Sequence, residues 1–140
     1  MKILTALLAV LIPVVAGADA VKDEGAARAL TDSIMTKVAV GDLTAAFDLM
    51  RKYMPIPKAE FESMALKSES LRDQYGARYG KPVGFEFLDT EKKGESLFKL
   101  EYIEKTEKTA LPWVFFFYKT ADGWILNSFF WNDQLTLLFK

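Results

Sequence analysis

The chain has 140 residues with 18 basic and 19 acidic side chains, 14% aromatics, no cysteine and no histidine. The missing residue types exclude disulfides, Ser-His-Asp and Cys-His nucleophilic systems, imidazole bases and nearly all zinc or copper sites. The balanced and scattered charge argues against a nucleic-acid-binding protein, and without a D-x-D-x-D-G calcium loop we expect neither a metal nor a cofactor.

Residues 1–20 are predicted to be a secretory signal peptide. Lys2 precedes a nearly unbroken apolar run over residues 3–15, and small residues follow it. Cleavage after Ala18 or after Ala20 would fit the preference of signal peptidases for small residues. The run is shorter than the roughly 20 apolar residues that span a bilayer, so we expect no stable membrane anchor after cleavage. These features predict a periplasmic or secreted protein with a single folded domain at residues 21–140.

Three amphipathic helices are predicted in the first half of the mature chain. Apolar residues recur at three- and four-residue spacing over residues 24–40 and again over 43–53, which places them on one face of each helix. The pair Gly41-Asp42 suits the end of the first helix and the start of the second. Pro57 suits the first turn of a third helix that ends near Tyr79.

The third helix is predicted to have one buried side and one solvated side. Its apolar positions are Phe61, Met64, Leu71 and Tyr75. The other side is charged, and a charged helix face is ordinarily solvated. Its residues are Lys58, Glu62, Lys67, Glu69, Arg72, Asp73 and Arg78.

Beyond residue 82 the apolar pattern changes to the period of two that is typical of strands. Polar segments at residues 91–95 and 104–109 are predicted to be loops, and residues 135–139 a short final strand. Helices followed by strands, rather than alternating with them, indicate an α+β fold. We therefore expect three N-terminal helices packed on a bent antiparallel sheet of four or five strands.

The segment at residues 111–131 holds nine of the nineteen aromatic residues and is predicted to be a hairpin turning at Asp122-Gly123. Both of its faces are apolar, so both must be covered, one by helices and the other by a ligand, a partner chain or more of the protein. The assumed turn places Ala121 opposite Trp124. One face then collects Phe116, Tyr118, Asn127, Phe129 and Trp131, and the other collects Trp113, Phe115, Phe117, Trp124 and Phe130.

The first of these faces is the predicted ligand-binding surface, because it is apolar with a central Tyr118–Asn127 polar pair. An ordinary core in which these two side chains bond each other remains an alternative. The second face, with Trp113 and Trp124, is predicted to pack against a second protomer, since a monomer rarely leaves such a patch exposed.

The order of elements resembles the cystatin-like or nuclear transport factor 2-like superfamily, and in particular small exported bacterial domains of unknown function. The resemblance rests on the Gly41-Asp42 helix break, the helix end RDQYGARYG at residues 72–80 and the hairpin FFFYKTADGWILNSFF at residues 115–130. It implies a cone in which a helix crosses the concave face of a bent sheet. Members of this superfamily include isomerases, dehydratases, adaptors and proteins without catalysis, so the fold alone does not supply the function.

Three functional hypotheses follow. The first is a non-catalytic exported domain that binds an apolar small molecule or a protein partner and dimerises through its sheet. The second is a small isomerase or lyase with a carboxylate base in the pocket, supplied by Glu86, Glu101 or Asp133. The third is an accessory subunit of an envelope complex. The absence of histidine favours the non-catalytic hypothesis.

Overall fold

A computed structural model describes residues 17–139, and the apolar run at residues 3–15 lies outside this part of the chain. Three helices precede four strands, which confirms the predicted α+β fold. The elements are α1 (Glu24–Ala39), α2 (Leu43–Arg51), α3 (Lys58–Tyr79), β1 (Pro82–Lys93), β2 (Leu97–Thr106), β3 (Ala110–Thr120), β4 (Gly123–Trp131) and a final 3-10 turn, η1 (Leu135–Leu138). No helix within residues 17–139 has the length and hydrophobicity that crossing a membrane requires.

Local sequence signals begin and end the helices. The Asp23 carboxylate accepts a hydrogen bond from the Ala26 N–H and caps α1, and Asp42 caps α2 in the same way through the Ala45 N–H. Gly41, at φ 80°, makes the turn between the two helices. The predicted bounds of α1 and α3 are therefore close to those observed, while α2 ends two residues earlier than expected.

The sheet is an antiparallel meander in the order β1-β2-β3-β4. Alternate residues of its strands face the helices, where they pack against the buried sides of α1, α2 and α3 to form the core. Helix α1 packs on β1 and β2, and α2 packs on α1 and α3. The largest fully buried side chains are Trp113, Tyr102, Phe47, Phe61, Phe115, Phe117, Ile34, Met35, Met50, Leu111, Leu126 and Glu104.

The hairpin β3–β4 turns one position earlier than predicted. Thr120 pairs with Gly123, so Ala121 and Asp122 form the turn, and each paired β3 residue near it meets a β4 residue two positions earlier than expected. A turn centred on Asp122-Gly123 would need positive φ at both residues, and Asp122 does not have it. A register shift of two residues keeps every side chain on its predicted face of the sheet. This error alone would therefore have left the predicted faces correct.

A β-bulge at Asn127 makes the predicted faces wrong for the rest of β4. Phe117 pairs with Leu126 and Phe116 with Ser128, which leaves Asn127 without a partner on β3. One extra residue reverses the side-chain alternation beyond it. Phe129 and Trp131 therefore share the helix-facing side, while Phe130 and Ser128 lie on the outer side.

The predicted final strand is wrong. Residues 135–138 form η1, which follows a turn in which the Asn132 side chain accepts a hydrogen bond from the Gln134 N–H. The Asn132 N–H donates to the Pro112 carbonyl at 3.3 Å, one position beyond the last β3–β4 pair. After it the chain bends back, and η1 packs over the outer face of β3 near Val114 and Phe116 instead of extending the sheet. Val114, on that face, is 4% exposed as a result.

The polar loop predicted at residues 104–109 is also shorter than expected. Strand β2 continues to Thr106, and Glu104 lies on its helix-facing side with no solvent exposure. An acidic residue at a buried strand position needs a compensating partner, which Arg72 supplies from α3.

Candidate functional site

The main candidate site is a groove between α3 and the end of β4, with a volume of about 490 Å³. This size falls within the range of small-molecule sites. Its floor is apolar and its margins carry hydroxyl and charged groups. The residues that line the groove are Met64, Lys67, Ser68, Leu71, Tyr75, Arg78, Tyr79, Phe129, Phe130, Trp131, Asn132 and Asp133.

The groove exists because the sheet does not cover the whole apolar stripe of α3. Phe61, at the start of the stripe, is buried, but Met64 and Tyr75 are only half-buried and Leu71 is 37% exposed. The sequence predicted that all four would be buried. Exposed apolar side chains that face a half-buried Trp131 form a surface suited to an apolar molecule.

A buried ion pair fixes the floor of the groove. The two terminal nitrogens of Arg72 donate to the two carboxylate oxygens of Glu104, each at 2.7 Å, and Trp113 Nε1 donates to Glu104 Oε1 at 3.1 Å. The Arg72 guanidinium lies 5.3 Å from the Trp131 ring and 5.8 Å from the Tyr79 ring. Arg72, which the sequence predicted to be solvated, thus ties α3 to β2 behind the groove.

Two further hydrogen bonds fix the aromatic side chains that line the groove. Trp131 Nε1 donates to Ser68 Oγ at 3.3 Å, and the Tyr79 hydroxyl donates to Asp133 Oδ2 at 3.0 Å. Burial, and then the hydrogen bond to Asp133, raise the pKa of the Tyr79 hydroxyl. Tyr79 therefore stays a neutral hydrogen-bond donor at physiological pH.

The margins of the groove carry two cations, Lys67 and Arg78. In the described part of the chain neither lies within 4.0 Å of a carboxylate oxygen. Asp133 contributes the one acidic group among the lining residues. The groove therefore combines an apolar floor with a small excess of positive charge at its margins.

A second polar cluster, around Tyr102, lies between α1 and β2. The Tyr102 hydroxyl donates to Asp32 at 2.6 Å and lies 2.7 Å from the Thr31 hydroxyl, while Arg28 Nε donates to Asp32 at 2.9 Å. Burial, and then the bond to Asp32, raise the pKa of Tyr102. Tyr102 and Thr31 have no solvent exposure, whereas the side chains of Arg28 and Asp32 are each 40% exposed. The cluster therefore holds α1 on the sheet through a buried hydroxyl pair with an ion pair at its outer side.

The structure divides the predicted ligand-binding residues between the two faces of the sheet. Phe129 and Trp131 line the groove on the helix side. Phe116 and Tyr118 lie on the outer face, and Asn127 is exposed at the bulge, so the predicted Tyr118–Asn127 pair does not form. Tyr118 pairs with Ile125 instead.

Four of the five predicted interface residues are in the chain's own core. Trp113, Phe115 and Phe117 are at most 1% exposed and Trp124 is 7% exposed, because the helices cover this face. They are not available to a second protomer. The fifth, Phe130, is 45% exposed on the outer side of the sheet.

The three acidic residues proposed as a catalytic base lie at three separate places on the molecule. Asp133 lines the groove, whereas Glu101 lines a polar hollow of about 450 Å³ on the outer face. Glu86 is exposed, with its carboxylate 3.8 Å from the Lys105 ammonium. Within residues 17–139 no group of three or more acidic side chains comes together in a way that could hold a metal ion.

Sequence reasoning missed the α3 side of the site. The α3 side of the site corresponds to the apolar helical stripe that contains Met64, Leu71 and Tyr75. A stripe of that kind ordinarily predicts packing in the core and not a ligand site. Asp133 is one of the three candidate bases that the sequence indicates, whereas Asn132 carries no such signal.

Compared with protein-family models, curated proteins and solved structures, the chain gives no match in any of the three. Inferences about what the groove binds therefore rest on its own side chains.

Proposed function

We propose that this protein is an exported, non-catalytic domain that binds an apolar small molecule in the groove between α3 and β4. The observation that carries the proposal is the uncovered apolar stripe of α3 opposite Trp131. Burying an exposed leucine or aromatic side chain under a ligand is favourable by about 25 cal/mol per Å² of apolar surface removed from water.

The charged margins favour a ligand with an apolar body and a negative end. Lys67 and Arg78 stand eleven residues apart on α3, a rise of about 16 Å at 1.5 Å per residue. At this separation the two cations lie toward opposite ends of the groove, so one of them can contact the anionic end of a ligand in either orientation. Asp133 opposes an anion at one end, so we expect anionic ligands to bind more tightly than cationic ones by a modest factor.

Replacing Leu71 with glutamate should weaken the binding of a neutral apolar probe such as phenylnaphthylamine at least tenfold. The substitution puts a charge on the exposed apolar floor, where a ligand would have to desolvate it. Leu71 is already 37% exposed, so the fold should tolerate the change. Fluorescence titration measures the affinity, with circular dichroism confirming that the variant is folded.

The matched control is Leu66→Glu, because Leu66 lies on the same helix, is 64% exposed and does not line the groove. This variant should bind the probe as the unmodified protein does. Equal loss of binding in both variants, or no binding by the unmodified protein, would contradict the proposal.

A homodimer is a second candidate function, and the outer face of the sheet is its proposed interface. Exposed apolar side chains are concentrated there, with Leu97 at 50%, Tyr118 at 44% and Phe130 at 45% exposure. A two-fold contact brings the same patch of both copies together, so an uncharged patch is complementary to itself. The charged pairs of β1 and β2, such as Glu91–Lys99, would then lie at the margin.

If the outer face forms the dimer, Tyr118→Glu should raise the dimer dissociation constant by at least tenfold, because each copy would have to bury a new carboxylate in an apolar interface. Val83→Glu is the control, since Val83 is 63% exposed on the edge strand β1. Sedimentation equilibrium measures the dimer dissociation constant of both variants. A monomer at all concentrations would eliminate the dimer and favour the third hypothesis, in which this face meets another protein of an envelope complex.

An isomerase or lyase is favoured less by the geometry. Asp133 stands in the groove beside the Tyr79 hydroxyl, the arrangement that an acid–base mechanism would require. However, Asp133 is exposed, so water has access to its carboxylate and competes with a substrate for it. The cystatin-like resemblance also remains a proposal, supported by the order of helices and strands.

A further inference from the structure

Near the start of the described chain, Val21 forms an isolated β-bridge with β4. The Val21 N–H donates to the Trp124 carbonyl and the Trp124 N–H donates to the Val21 carbonyl, both at 2.8 Å. Two residues earlier, the Asp19 N–H donates to the Lys52 carbonyl at 2.7 Å. Both candidate cleavage points, after Ala18 and after Ala20, therefore adjoin a backbone nitrogen with a defined partner.

The partner of Asp19 is the end of a helix. Lys52 is the C-cap residue of α2. Carbonyl groups at a helix C-terminus carry a partial negative charge and lack partners within the helix, so a cation is favourable there. A charged N–H donor also makes a stronger hydrogen bond than a neutral amide.

We propose that signal peptidase cleaves between Ala18 and Asp19, and that the α-ammonium group released on Asp19 caps the C-terminal end of α2 at the Lys52 carbonyl. Hydrolysis adds one water across the peptide bond, leaving a carboxylate on Ala18 and a protonated amine on Asp19. The neutral hydrogen bond thereby becomes a charge-assisted one. The proposal rests on the predicted export of the chain and is independent of any ligand in the groove.

Cleavage after Ala20 would produce a poorer terminus. The ammonium group would then stand on Val21, whose nitrogen has one acceptor, the Trp124 carbonyl, in a β-bridge. Val21 is half-buried and packs against the core, and the Trp124 side chain is 7% exposed. A charge at that position would lose hydration, and the bond from Asp19 to Lys52 would be lost as well.

The other charges near the end of α2 do not oppose this cap strongly. Arg51 already has carboxylate partners, with Asp48 at 3.3 Å and Glu62 at 3.9 Å. The Lys52 ammonium lies 5.2 Å from the Tyr53 ring, and its side chain is exposed to water, which screens its charge.

The cleavage point is tested by expressing the full chain in a bacterium with a secretory pathway and measuring the intact mass and N-terminal sequence of the exported protein. We expect Asp19 as the first residue. Ala20→Lys removes the small residue before Val21 and should leave processing unchanged, whereas Ala16→Lys alters the upstream site and should abolish or move the cut. A mature chain that begins at Val21 overturns the proposal alone, and an uncleaved, unexported chain overturns the export prediction with it.

The capping role is tested on the exported protein by acetylating its α-amine at mildly acidic pH, where lysines react slowly. Acetylation removes the charge but leaves one N–H to donate to the Lys52 carbonyl, so it isolates the electrostatic contribution. The acetylated protein should melt about 2–5 °C lower. An unchanged melting temperature in the singly acetylated product, verified by mass, would overturn the cap.

Discussion

Replacing Arg72 with methionine should lower the free energy of unfolding by about 3–5 kcal/mol, the range for removing one partner of a buried ion pair. Glu104 has no solvent exposure, and two of its three hydrogen bonds come from Arg72. Without Arg72 the carboxylate would keep only the bond from Trp113. Urea unfolding followed by tryptophan fluorescence measures the loss.

A double-mutant cycle separates the buried charge from the lost packing. In Arg72→Met/Glu104→Leu no charge remains, so the double variant should be more stable than Arg72→Met even though Trp113 Nε1 loses its acceptor. If the two substitutions were simply additive, the pair would not be coupled and the account of the groove floor would be wrong. If Arg72→Met lowered the free energy of unfolding by less than about 1 kcal/mol, this account would also be wrong.

The helices and their order could be predicted from sequence because their signals are local. Asp23 and Asp42 cap the N–H groups three residues ahead of them, and Gly41 makes the turn between α1 and α2 at positive φ. Each of these effects acts within one helical turn, so no tertiary information is needed. The strands of the meander were predictable for the same reason, since alternation is also local.

The position of the site could not be predicted in this way, because it depends on one unpaired residue. The bulge at Asn127 reverses which side Phe129 and Trp131 face, and nothing in the polar pair Asn127-Ser128 distinguishes a bulge from a regular strand. The α3 half of the groove depends on how far a helix lies from a sheet. That distance is set by tertiary packing, for example by the ion pair between Arg72 and Glu104. It therefore produces no periodic pattern in the sequence.

Replacing Gly123 with alanine should cost about 3 kcal/mol and release the N-terminal segment from the sheet. Gly123 has φ 128°, and a Cβ there would lie 2.5 Å from the Val21 carbonyl oxygen. A non-glycine residue at such a φ costs roughly 1–3 kcal/mol by itself. The collision adds to that cost, because the obstacle is backbone and moves only if the bridge from Val21 to Trp124 opens.

Gly94→Ala is the matched control for this substitution. Gly94 is also left-handed, at φ 61°, but a Cβ there meets nothing within 4 Å. It should cost about 1 kcal/mol, which is the conformational penalty alone. Hydrogen exchange distinguishes the two variants beyond their stability: the Val21 amide should exchange faster in Gly123→Ala and at the normal rate in Gly94→Ala. Equal protection of Val21 in both would mean that Gly123 is required for its turn and not for the close approach of the Val21 backbone.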